Sequence, residues 1–186
     1  MRPRIAFQGI PGAFSELAVQ HWWPDAEAMG FESFARTLDA VIAGTVEAAV
    51  IPVHNRIAGP VHAALSALDA VAPLITRVDD TEVPVELCLL AHPAHTSETR
   101  IVRVMSHPMA LAQCGPFLAT LGAEVAEHAD TAGAARDVRD GGDPTVAAIA
   151  AERAAVAYGL QVLARAIQAQ RDNRTRFVRV ERRPSA

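Results

Sequence analysis

The sequence predicts an α/β protein of two lobes, and three observations predict it. Short apolar runs of strand length, such as "RIAFQG", "AAVIPV" and "TVAAIA", alternate with helix-spaced segments along the whole chain. Such alternation points to mainly parallel or mixed sheets. The β-α units also fall into two groups, about 1–78 and 84–162, and a closing strand within about 170–186 can return to the first. No repeat, low-complexity run or long linker interrupts this order. Two lobes joined by crossing strands leave an interlobe cleft, where ligands meet the carboxyl ends of strands and the amino ends of helices.

Each element has a local reason. "RIAFQG" is a buried strand ended by Gly9, and Ser15 is placed to cap a helix through "ELAVQHWW" that Pro24 stops. "FARTLDAVIAG" is a helix with Leu38, Val41 and Ile42 on one face and Gly44 at its carboxyl end. "AAVIPV" is a strand, "HNRIAG" a loop, and Pro60 fits the first turn of a helix through "VHAALSALDAV". "VPVELCLLAHP" and "RIVRVMSHP" read as strands. "MALAQCGPFLATLG" has helical spacing, but Gly115 and Pro116 predict a kink or break within it. "AEVAEHA" and "TVAAIA" are strands around the helix "TAGAARDVRDGG"; "AERAAVAYG" is a helix closed by Gly159. "LQVLARAI" is extended, "QAQRDNR" a polar loop, "TRFVRVER" the last strand, and "RPSA" a frayed tail.

Composition narrows the function. The chain of 186 residues is 51% hydrophobic and 20% charged, and alanine accounts for much of the apolar share, so closely packed helices are expected. A net charge of −4 and a pI near 6.0 give no bulk attraction to nucleic acid or an anionic membrane. No segment has the length of a membrane span or a signal peptide, which reads as a cytoplasmic protein. Cys88 and Cys114 lack metal-ligand spacing and read as free thiols. "HPAH" at 92–95 is not a metal pair, because Pro93 opposes the helix that would put both imidazoles on one face. No serine sits in a nucleophile-elbow pattern.

Three polar loops fall at strand ends: 9–15, 54–59 and 172–176. "GIPGAFS" offers backbone amides at Gly12 and Ala13 and the Ser15 hydroxyl at a helix start, which suits a carboxylate or is an ordinary strand–turn–helix corner. Its glycine spacing is not that of a dinucleotide fingerprint. "HNRIAGPV" sets His54, Asn55 and Arg56 at a second strand end, as ligand contacts or as a solvated loop. "TRF" sets Thr175, Arg176 and Phe177 at the third.

Taken together, these motifs resemble the catalytic domain of prephenate dehydratase. "FQGIPGAFS", "VIPVHNRIAGPV", "SHPMALAQC", "DTAGAARDV" and "AAIAAERAAVAYGLQVLARAIQAQRDNRTRF" occur in the family's order and span nearly the whole chain. The resemblance implies a fold like a type II periplasmic binding protein and the conversion of prephenate to phenylpyruvate in phenylalanine biosynthesis. It implies no metal and no cofactor, a small-molecule substrate, and a homodimer or higher homo-oligomer. The family's essential threonine falls on Thr175. Arg176 becomes an anchor for a substrate carboxylate or a cation shaping the cleft. Asn55, Ser15, Gly12 and Ala13 complete a polar shell, while Phe14 and Phe177 exclude water, Phe177 alternatively being core.

The chain departs from the family pattern at His54, Arg56 and Ala13, where the family carries glutamate, serine and threonine. Arg56 is then an added contact for an anionic substrate or the mark of an altered substrate. His54 is a proton source near neutral pH or a surface histidine. The resemblance also implies that the regulatory ACT domain of typical members is lacking here. Arogenate dehydratase, acting on the aminated substrate, and a non-catalytic two-lobed binding module are the competing readings. The intact "TRF" disfavours a decarboxylase that keeps the ring hydroxyl.

Overall fold

A computed structural model describes residues 2–184, and its contacts divide the chain into two compact units. The first runs through Ile10, then Phe14–Pro84, and resumes at Asn173; the second comprises Pro11–Ala13 and Val85–Asp172. The last two residues of the "RPSA" tail lie outside the described residues.

In the first unit the order is β1 (Arg4–Gln8), α1 (Phe14–Trp22), β2 (Glu27–Phe31), α2 (Phe34–Ile42), β3 (Ala48–Asn55), β4 (Gly59–Pro60), α3 (His62–Ala70) and β5 (Ile75–Pro84). The second unit holds β6 (Cys88–Ala91), β7 (Arg103–Ser106), α4 (Pro108–Gln113), α5 (Gly115–Leu121), β8 (Glu124–Glu127), α6 (Thr131–Gly141), β9 (Val146–Ala150), α7 (Glu152–Tyr158) and β10 (Gln161–Ala164). The chain then returns to the first unit as β11 (Arg174–Arg182).

The first sheet has the order β2-β1-β3-β11-β5, with β4 hairpinned onto β3. β1, β2 and β3 are parallel, whereas β11 is antiparallel to both β3 and β5. The second sheet, β10-β6-β9-β7-β8, is parallel only across β7, β8 and β9. Both sheets are therefore mixed, in keeping with the parallel or mixed arrangement expected, and the antiparallel pairs come from β5, β6, β10, β11 and the β3–β4 hairpin.

The core of the first unit gathers Ala6, Leu38, Val41, Ala49, Ile51, Leu68, Val178 and Val180. α2 is set by Ser33, whose hydroxyl accepts from the Arg36 N–H at 3.3 Å, so its apolar stripe meets the sheet in register. In the second unit α6 lays Ala134, Ala135 and Val138 against Ala148 and Ala150 of β9. Asp130 caps that helix, accepting from Gly133 N–H at 2.6 Å. The alanine content of the sequence is thus spent on helix–sheet contacts that larger residues would force apart.

Several local expectations change. Ser15 does not cap α1, which already begins at Phe14; it lies buried inside the first turn. Pro60 does not open a helix but pairs with His54 in β4, and α3 starts two residues later. His54 and Asn55 belong to β3 rather than to a loop. β2 and β5 are additional strands. β5 carries Arg77, Asp79, Asp80 and Glu82 on a largely exposed sheet edge, a composition that protects edges and hides the apolar alternation of a strand. The break at Gly115 and Pro116 is present, splitting the segment into α4 and α5 around Cys114.

Gly30 on β2 marks a close backbone approach. A Cβ there would sit 2.4 Å from the Gly9 carbonyl oxygen, where Gly9 N–H donates to Phe31 O. Gly30→Ala is therefore expected to destabilise the protein by about 1–3 kcal/mol through overpacking. Gly141→Ala, at a helical glycine with nothing within 4 Å of its Cβ position, is expected to stabilise it by about 0.5–1 kcal/mol. Urea denaturation of the two variants checks the opposite signs.

Candidate active site

The carboxyl end of β3 meets the start of β11 because the two strands are antiparallel, with Thr175 directly opposite Asn55. Thr175 also faces Val83 of β5, so backbone pairing holds it on both sides. On β11 the alternation sets Thr175, Phe177 and Arg179 on one face and Arg176, Val178 and Val180 on the other. The first face carries α1: the Arg179 guanidinium lies 5.0 Å over the Trp23 ring, and Trp22 Nε1 donates to Asp79 Oδ2 at 3.0 Å. That bond, with the Asp80 N–H, holds the Asp79 carboxyl below its usual range.

Thr175 is 9% exposed, and its Oγ1 accepts a hydrogen bond from Asn55 Nδ2 at 2.9 Å. Asn55 Nδ2 also donates to Arg174 O at 3.3 Å. Asn55 Oδ1 accepts from the N–H groups of Ile57 at 3.0 Å and Ala58 at 2.9 Å, closing the turn into β4. The next backbone bond, Arg56 N–H to Arg174 O at 2.8 Å, continues the ladder past the turn. The site thus offers one ordered hydroxyl on a rigid strand.

The other expected residues fall in different places. Arg176 projects from the face opposite Thr175 and is ion-paired with Asp80, Nε to Oδ2 at 2.7 Å. Its charge is already matched by a carboxylate, so the structure does not support its role as an anchor beside Thr175. Asp80 was not legible as its partner because the two lie 96 residues apart. His54 is exposed on the same side as Arg176, its partner across the ladder. Phe177 is 1% exposed and belongs to the core. Ser15 is buried and Phe14 partly buried at the start of α1. Gly12 and Ala13 belong to the second unit, where Gly12 packs on α7: a Cβ there would lie 2.7 Å from Ala154 Cα, and its φ is +91°. Tyr158 Oη donates to the carbonyl of Pro11 at 2.7 Å, fixing the same turn.

Among the described residues no group of three or more His, Cys, Asp or Glu could hold a metal ion. The two histidines of "HPAH" serve the backbone: His92 Nδ1 accepts from Ala94 N–H at 3.1 Å, and His95 Nδ1 bonds Pro144 O at 2.9 Å. Cys88 and Cys114 are free and fully buried. Desolvation raises both thiols, Cys114 to about 12, so neither is a ready nucleophile.

The family model for prephenate dehydratase matches residues 5–185. The chain belongs to the prephenate dehydratase family. A curated relative, arogenate dehydratase 1 of Petunia hybrida, is 41% identical over 183 residues, covering 97% of this chain and 42% of the relative. The chain therefore spans less than half the length of that relative. A prephenate dehydratase from Arthrobacter aurescens, solved in complex with L-Phe, superposes with a TM-score of 0.83 at 29% identity, over 98% of this chain and 61% of the other. A structure described as GqqA, a novel type of quorum-quenching acylase, superposes with a TM-score of 0.87 at 36% identity, over 98% and 65%. The two-lobed α/β architecture inferred from the motifs agrees with these superpositions.

The buried thiols give a pH dependence with a defined sign. Below about pH 9 the folded and unfolded chains both hold the Cys114 proton. Above it the unfolded chain, with its ordinary value of 9.0, ionises first, so stability falls as pH rises from 9 toward 12. The urea midpoint is expected to drop between pH 8 and 10.5 more in the native sequence than in Cys114→Ala.

Proposed function

We propose that this protein is a dehydratase that converts prephenate to phenylpyruvate, with Thr175 as the hydrogen-bond donor to the departing ring oxygen. Membership of the family supports the reaction class. The observation that carries the reading is the Thr175 hydroxyl, nearly buried on a paired strand and held by an amide N–H.

The chemistry asks for little beyond such a donor. The bond from the ring to its carboxylate breaks and carbon dioxide leaves. The electron pair moves through the ring, the bond to the ring hydroxyl breaks, and the ring becomes aromatic. Hydroxide is a poor leaving group, and one proton must reach it to make water. A hydroxyl aimed at that oxygen stabilises the charge developing there. A threonine hydroxyl is too weak an acid to give up its proton permanently near neutral pH, so the proton comes ultimately from solvent. The substrate's side-chain carboxylate needs an anchor, and Arg56, which directly follows Asn55, is the candidate nearest to the Thr175 pair in sequence. Binding the departing carboxylate strongly would not speed the step.

Arogenate, the aminated analogue, is an equally suitable substrate for this donor, and relatives are named for either activity or both. The acylase neighbour suggests an amide hydrolase as a second reading. It fits less well: an acylase activates its nucleophile with a base, and the partner of Thr175 Oγ1 here is a donor. The family likeness also suggests a homodimer or larger assembly, and the composition suggests a cytoplasmic one; several plant relatives are named chloroplastic.

Incubation with prephenate and with arogenate, following phenylpyruvate and phenylalanine, tests the reaction. Thr175→Ala is expected to lower turnover by about 100- to 1,000-fold, the usual cost of losing such a donor. Undiminished turnover in that variant overturns the assignment.

A further inference from the structure

We infer that Asn55 is a positioning residue that sets the direction of the Thr175 O–H bond and does not contact the substrate. This rests on the reading of Thr175 as the donor. An asparagine side chain has two N–H hydrogens to give and an oxygen with two lone pairs. At Asn55 all four are used. Oδ1 takes the Ile57 and Ala58 N–H groups at 3.0 and 2.9 Å, while Nδ2 gives to Arg174 O at 3.3 Å and to Thr175 Oγ1 at 2.9 Å. The reverse orientation of the amide would put its NH2 group against two N–H donors. The turn into β4 therefore decides that a donor, and not an acceptor, faces Thr175.

The consequence falls on the hydroxyl. Thr175 has a single hydroxyl proton, and Asn55, which presents N–H, cannot receive it. One lone pair of Oγ1 is occupied, so the O–H bond turns to the remaining directions and its proton is kept for another acceptor. Strand pairing on both sides places the oxygen, and β-branching stiffens its rotamer. Asn55 supplies what those constraints leave undecided, the rotation about the C–O bond. The earlier expectation that Asn55 joins the substrate-binding shell is replaced by this role.

Two substitutions separate this from a structural or binding role. Asn55→Asp is isosteric and keeps an oxygen for the Ile57 and Ala58 amides, but it turns an acceptor toward Thr175 and captures its proton. Asn55→Ala abolishes the turn contacts and leaves the hydroxyl free to rotate. The expected order of kcat is native, then Asn55→Ala down about tenfold or less, then Asn55→Asp down about 100-fold. A structural role predicts the reverse order, with alanine the worse. In a Thr175→Ala background Asn55→Asp is expected to cause no further loss of kcat. KM is read separately, because a new carboxylate repels an anionic substrate in either background.

Circular dichroism and urea midpoints establish that each variant is folded, and Asn55→Ala against the native enzyme suffices if the aspartate variant is not. The inference is overturned by an alanine variant with raised KM and native kcat, by an inverted order, or by an additive loss in the double variant. Full turnover by Thr175→Ala would instead overturn the donor assignment itself. An impaired Thr175→Ala beside a fully active Asn55→Asp would overturn the positioning role alone.

Discussion

The pairing of β11 with β3 is the constraint on which the site depends. It joins Asn55 to Thr175 across 120 residues of sequence, after the chain has built an entire second unit. β11 also completes the sheet, because without it β3 and β5 would have no common partner. The residues that hold the sheet together and Thr175, the proposed donor, thus lie on one strand. Thr175 sits two positions before the buried Phe177 and three before Val178, whose core contacts fix the strand's height. A hydroxyl placed by a backbone ladder is more exactly held than one on a loop.

The register of that pairing contains a further device. Thr175 opposes Asn55 and Arg176 opposes His54, but Phe177 opposes Pro52, so Val53 is the extra residue of a bulge on β3. On an unbroken strand Asn55, Val53, Ile51 and Ala49 would share one face. The shift lets Asn55 stand beside Thr175 while Ile51 and Ala49 pack with Val178 and Val180 in the core on the other side. A second shift, with Val78 the extra residue of β5, separates the pairs at Arg179 and Val180. Bulges commonly re-aim side chains next to functional sites. Here the bulge reconciles a polar face at the strand's end with an apolar one along its length.

Elements with a buried face were legible in the sequence, since burial imposes a period on residue types. β1, β3, β9 and α2 are of this kind. β5 was not, because Arg77, Asp79, Asp80 and Glu82 on a sheet edge leave it no apolar alternation, nor was β2, a five-residue edge strand with no buried residue. Thr175 and Asn55 were legible as motif positions, but their mutual bond depends on register, which no local pattern encodes. The same limit explains Arg176: its partner Asp80 lies on a strand whose existence the sequence hid. Ser15 shows a different failure. A hydroxyl near a helix start suggests a cap, yet α1 begins at Phe14, two residues before the helix that Ser15 would cap.

Two of the positions that depart from the motif pattern, His54 and Arg56, flank Asn55 in sequence. His54 alternates with Asn55 along β3 and pairs with Arg176, on the side of the sheet turned from the Thr175 hydroxyl. A histidine there, where the resemblance implies glutamate, lies beside the Arg176–Asp80 pair rather than beside the Thr175 hydroxyl. At Arg56 the backbone keeps the strand's hydrogen bonding, since its N–H reaches Arg174 O whatever side chain it bears. The bonds that orient Asn55 come from the main chain of Ile57 and Ala58, so they too are independent of the side chain at position 56. The substitutions therefore leave the Asn55–Thr175 pair intact.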